Sequence, residues 1–132
     1  MNKFWFAASA IGIFAGVGGA SHGPCEILQG TVAPANTMIQ AWPRLTALSG
    51  EPAMTLIPNF VLTGFLTIIM GSLVAAWAGK CIENKMGGLT LILLSVVMLL
   101  VGGGIVPPFF GIAAGLIGVL FNYTEKKQGA VD

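Results

Sequence analysis

The chain has 132 residues, of which 8% are charged and 55% apolar, with 19 glycines and a formal net charge of +1. An ordinary soluble domain carries roughly 25% charged residues, so this composition argues against a water-facing globule and for a single membrane domain. The near-neutral balance offers no basic field for nucleic acid, and the glycines follow no collagen period.

The ionisable residues mark out the spans. Between Lys3 and Glu26 lie 22 residues with no formal charge except a possible one on His22. Between Glu51 and Lys80 lie 28 more, and between Lys85 and Glu125 lie 39. A helix crosses a hydrocarbon core of roughly 30 Å with about 20 apolar residues, so the first two stretches hold one span each. As one helix the third would run to about 58 Å, which demands a reversal. Gly102-Gly103-Gly104-Ile105-Val106-Pro107-Pro108 supplies it, because glycine opens left-handed backbone angles and proline suits the first turn of a helix. The expected fold is therefore all-α, a polytopic four-helix transmembrane bundle. Its spans are 4–23, 57–79, 86–103 and 105–123, with an interfacial loop over 27–53.

Span one carries Ala8, Gly12, Ala15 and Gly19, spaced 4, 3 and 4. Such a row on one face lets helix backbones approach closely. The same spacing continues to His22, Glu26 and Gln29, which places these three on the packing face and makes them the candidate ligand or proton site. Gly23-Pro24 interrupts the row, and either a kink or a second short helix is expected there. Reckoned from Phe4, His22 and Glu26 fall near the far boundary, where a polar cap wetted by headgroups is the plainer expectation. Met1–Ala20 also resembles a secretory signal ending in small residues; the polar pattern beyond it favours a retained helix.

The segment 27–53 contains Met38, Ile39, Trp42, Leu45 and Leu48 at roughly helical spacing, an interfacial stretch anchored by Trp42, although Pro43 limits any helix. A Ser49-Gly-Glu-Pro turn leads into span two, with Pro58 expected in its first turn. Trp5 and Trp77 are expected in aromatic belts. Spans three and four are poor in polar groups. Thr90 and Ser95 can bond their own helix, Gly111 and Gly115 give span four a close-packing face, and Asn122 and Tyr123 end it.

Lys3, Lys80, Lys85, Lys126 and Lys127 fall at one end of such a bundle and Arg44 at the other. The excess of lysine marks the cytoplasmic side, with both termini inside and the protein in the plasma membrane. Cys25 and Cys81 fall at opposite ends, so no disulfide between them is expected. His22, Cys25 and Glu26 make too few ligands for a metal site, and no cofactor or enzyme motif is present. The first functional expectation is a non-enzymatic accessory or interaction subunit, in contact with lipid and with a membrane-protein partner or further copies of itself. The alternative is a small oligomeric transporter or channel with His22 and Glu26 at its outer mouth.

Overall fold

A computed structural model describes residues 2–40 and 52–128. Four helices run in the order α1 (Lys3–Ile27), α2 (Phe60–Lys80), α3 (Gly87–Leu100) and α4 (Val106–Gln128). Between α1 and α2, β1 (Met38–Gln40) pairs antiparallel with β2 (Pro52–Met54), with Ile39 opposite Ala53. Met38 and Ile39 are thus in a strand and not at helical spacing. Trp42, Pro43, Arg44, Leu45, Leu48 and most of the Ser-Gly-Glu-Pro turn lie outside the described residues.

Three helices are long and apolar enough to cross a membrane: α1 with 25 residues, α2 with 21 and α4 with 23. Their outward faces carry Phe6, Phe14, Phe65, Ile69, Phe109 and Leu120, all more than half exposed, as lipid-facing positions should be. The third helix departs from the expected span of 86–103. At 14 residues it reaches about 21 Å, short of the core. Its early stop has a physical cause at its C-terminal end, where other parts of the chain take its carbonyl groups. Leu56 N–H donates to Leu100 O at 3.0 Å and Gly103 N–H to Met98 O at 2.9 Å, while the Thr67 hydroxyl lies 2.9 Å from Val101 O. Orphan carbonyls at a helix end need such partners.

The other boundaries shift for equally local reasons. The first helix runs through Gly23-Pro24 to Ile27 without a break. Pro24 forfeits one backbone bond, but Gly23 lies directly against the Gly64 carbonyl of α2, and that packing holds the helix on its line. Pro58 precedes α2 instead of opening it: Asn59 is the N-cap, its side chain accepting from Leu62 N–H at 3.1 Å. Pro107 and Pro108 do fall in the first turn of α4, which continues past Tyr123 through Lys126 and Lys127.

The first helix is the hub, packed most extensively on α2 and next on α4, while α3 packs chiefly on α4. Gly16 and Gly71 meet backbone to backbone, and so do Gly23, seven residues later on α1, and Gly64, seven residues earlier on α2. The α3–α4 pair repeats the device once, Gly88 against Gly115. Trp5 is turned into the protein, and Trp77 is half-buried. Trp5 is 6% exposed and stands edge-on to Phe121 with centroids 5.1 Å apart. Trp77 donates its indole N–H to Gly87 O at 3.0 Å.

Candidate functional site

The row on α1 divides into an apolar lower part and a polar upper part. Ala8, Gly12, Ala15 and Gly19 are all buried. Gly12 faces Ala78, Leu91 and Ala114, so one residue touches all three other helices. Gly19 sits on Met98, and Gly111 sits on Ser95 and Ala15. One turn beyond Gly19 the same face presents His22, 2% exposed, and Glu26, which is fully buried. The expected headgroup-wetted cap is therefore not what forms. The carboxyl of Glu26 is enclosed by protein.

What encloses it is the α3–α4 turn. Gly102 and Gly104 have φ of +114° and +78°, angles that disfavour residues with a side chain. A methyl on Gly102 would come within 2.5 Å of Glu26 Oε1, and one on Gly104 within 2.7 Å of His22 Nε2. Gly103 is closed in the same way by Met98. The three glycines lay bare backbone across both ionisable side chains of α1.

The second helix supplies the rest. Thr63 and Thr67 are fully buried, one helical turn apart on the face turned toward α1. The Thr67 hydroxyl donates toward Glu26 Oε2 at 3.1 Å and toward Val101 O at 2.9 Å. One hydrogen thus serves two acceptors, and Glu26 Oε1 has no hydrogen-bond partner among the described residues. Thr63 pairs with Thr55 at 3.0 Å between hydroxyls, and Thr55 Oγ1 accepts from Ile57 N–H at 3.0 Å. His22 Nδ1 lies 2.9 Å from Gly18 O, which orients its ring along the helix. Beside it a cleft of about 200 Å³ opens between α1 and the start of α4, lined by Phe14, Gly18, Ser21, Val106, Pro107 and Phe110.

Depth follows from the helix rise. Thr67 lies 13 residues before Lys80, about 20 Å along α2. Along α1 the distance from Lys3 to Glu26 is longer, about 35 Å, because α1 begins beyond the end of α2 and Gly12 already faces Ala78. By the α2 measure, the Glu26–Thr67 contact lies about 20 Å from Lys80, roughly two-thirds of the thickness of a 30 Å hydrocarbon core. Broken backbone at such depth is tolerated where protein buries it or a cavity faces it.

Of the three candidate residues, His22 and Glu26 meet the same turn. Gln29 lies beyond the end of α1, half-buried, with its amide donating to Cys25 O over a long 3.5 Å. Cys25 and Cys81 are free thiols. Among the described residues, no group of three or more His, Cys, Asp or Glu side chains could hold a metal ion. Thr55, Thr63 and Thr67 were not among the expected site residues. The available signal was Thr63 and Thr67 at a four-residue spacing beside Gly64 and Gly71, a polar stripe along a glycine row.

No protein-family model matches the chain, and neither a curated protein nor a solved structure does. The fold and the site together define a helical protein with three membrane-compatible helices and a buried polar cluster where a fourth, shorter helix stops.

Proposed function

We propose that the chain is a small transporter or channel of the plasma membrane, acting as an oligomer, with the His22–Glu26–Thr67 cluster as its solute or ion site. In this reading α3 completes a fourth crossing with the help of the glycine turn. The lysine-bearing end and both termini face the cytoplasm, and the cluster opens toward the outside. One observation carries the proposal: Glu26 is fully buried, and one of its carboxyl oxygens has no hydrogen-bond partner among the described residues. Burying an ionisable group among membrane helices is costly, and a group kept there despite the cost is a functional candidate by default.

The accessory-subunit reading stands second. The double glycine contact between α1 and α2 and the polar-poor α3 and α4 favour it, since tight helix packing needs no solute. Purified protein in sealed liposomes separates the two. Proton flux is followed with an entrapped pH dye and sodium uptake with a radioactive tracer. Flux above empty vesicles, lost in folded Glu26→Gln and His22→Ala, supports transport. Wild-type vesicles as tight as empty ones to both would leave the accessory reading in place.

A further inference from the structure

We infer that the cluster binds a monovalent alkali cation between Glu26 and the broken end of α3, an inference that rests on the transport reading and names its ligand class. The polar groups brought together there among the described residues are oxygens: both carboxyl oxygens of Glu26, the Thr67 hydroxyl and the Val101 carbonyl. With Glu26 ionised, the set is short of hydrogens. Thr67 offers one hydrogen to two acceptors, and Glu26 Oε1 receives none. The neighbouring Thr55–Thr63 pair cannot make up the deficit, because its hydroxyls are engaged with each other and with the backbone of Ile57.

The surrounding dipoles point the same way. Glu26 lies in the last turn of α1, and the turn that covers it follows the last residue of α3. A helix C-terminus carries about half a negative charge, so two such ends meet at one acidic side chain, the wrong sign for both. The positive end of α2 is nearby, but several of its leading donors are engaged: Phe60 N–H goes to Val32 O at 3.2 Å, and Leu62 and Thr63 N–H go to Asn59. All five lysines belong to the opposite end of the helices, and the sixth basic residue, Arg44, lies outside the described residues. His22, one turn earlier on α1, is the other titratable side chain held by the glycine turn.

A cation at Oε1 answers both the missing hydrogens and the unfavourable dipoles. Charge selects its valence. A single carboxylate balances a single positive charge, whereas calcium and magnesium sites draw on more carboxylates or keep several waters. Hard oxygen donors, with carbonyls from an interrupted membrane helix among them, are the ligands that sodium takes in such places.

The test is thermal melting of the full-length protein in lipid nanodiscs at fixed pH and ionic strength, with sodium chloride replaced stepwise by choline chloride and, in parallel, by potassium chloride. Sodium is expected to raise the melting temperature saturably in wild type. Thr67→Ser keeps the hydroxyl and is expected to keep the response, Thr67→Val to shift its midpoint at least tenfold, and Glu26→Gln to abolish it. Should Glu26→Gln not fold, the contrast between the two Thr67 variants decides. Identical melting in sodium, potassium and choline, or a sodium response equal in wild type and Thr67→Val, overturns the inference. Liposome flux without any cation effect on melting would sink this inference alone. Cation-dependent melting without flux would sink the transport reading alone.

Discussion

The two halves of the α1 packing face obey one geometric rule and do opposite things with it. From Ala8 to Gly19 the small side chains let α2, α3 and α4 close on α1, and the buried polar side chains among the described residues there are two serines, Ser9 and Ser95, the second bonding its own helix. From His22 to Glu26 the same face meets no full-length partner on the α3–α4 side, because α3 has stopped and its chain has turned back. The step left by a short helix is filled with three glycines, three threonines and two ionisable residues. Polar chemistry thus gathers where one pair of helices outlasts the other, and dry packing holds where all four run together.

The sharpest way to break the dry half is to separate α1 from α2. A side chain on Gly71 would run into the backbone nitrogen of Ala20 and the carbonyl of Gly16, neither of which can swing aside. Gly71→Val is expected to destabilise by about 3 kcal/mol or more, above the usual overpacking range because backbone rather than a side chain is struck. Chemical denaturation in detergent measures it. A loss within about 0.5 kcal/mol would mean that α1 and α2 do not approach as described.

A smaller effect is expected at the roof of the polar half. Gly102→Ala places a methyl on a residue at φ +114° and against Glu26 Oε1 and Thr63 Cγ2. The expected cost is about 1–3 kcal/mol from strained backbone and contact together. Glu26→Ala in the same chain removes the carboxyl contact but leaves the strain, so the double variant should recover part of the loss. A coupling of at least about 0.5 kcal/mol in a double-mutant cycle is expected. Strict additivity would show that Gly102 and Glu26 do not touch.

The two halves also differ in how far they could be read from the chain. The dry half was legible because small residues at 4-3-4 spacing and long charge-free stretches are local patterns, and the Gly-Gly-Gly…Pro-Pro reversal announces itself. The spacing even carried His22 and Glu26 onto the right face. What it missed was tertiary. Gly102 at φ +114° and the Gly103 N–H bond to Met98 O close α3 locally, but the donors that reach its last carbonyls, Leu56 N–H and the Thr67 hydroxyl, come from elsewhere in the chain. Pro24 looks like a breaker until Gly64 is set against Gly23. Glu26 counts as a boundary residue when depth is reckoned along α1 alone, and becomes buried only once the glycine turn lies over it.

The smallest expected effect tests whether a hydroxyl matters for where it sits or for what it serves. Thr67 and Ser95 are both fully buried, and each accounts for one hydroxyl group in the bundle. Ser95 donates to Leu91 O at 2.8 Å, a carbonyl four residues back on its own helix that the α-helical ladder also supplies with a backbone donor. Thr67 donates across elements to Glu26 and to Val101 O, a carbonyl beyond the last turn of α3. Thr67→Val therefore leaves acceptors on two other elements without that donor and is expected to cost about 1 kcal/mol, within the span measured for hydrogen bonds between membrane helices. Ser95→Ala strands no acceptor and is expected to stay within about 0.5 kcal/mol. Equal losses would mean that burial alone sets the price of removing a hydroxyl here. The unequal result places the demand for hydrogens at the broken end of α3, where Glu26 Oε1 also lacks one.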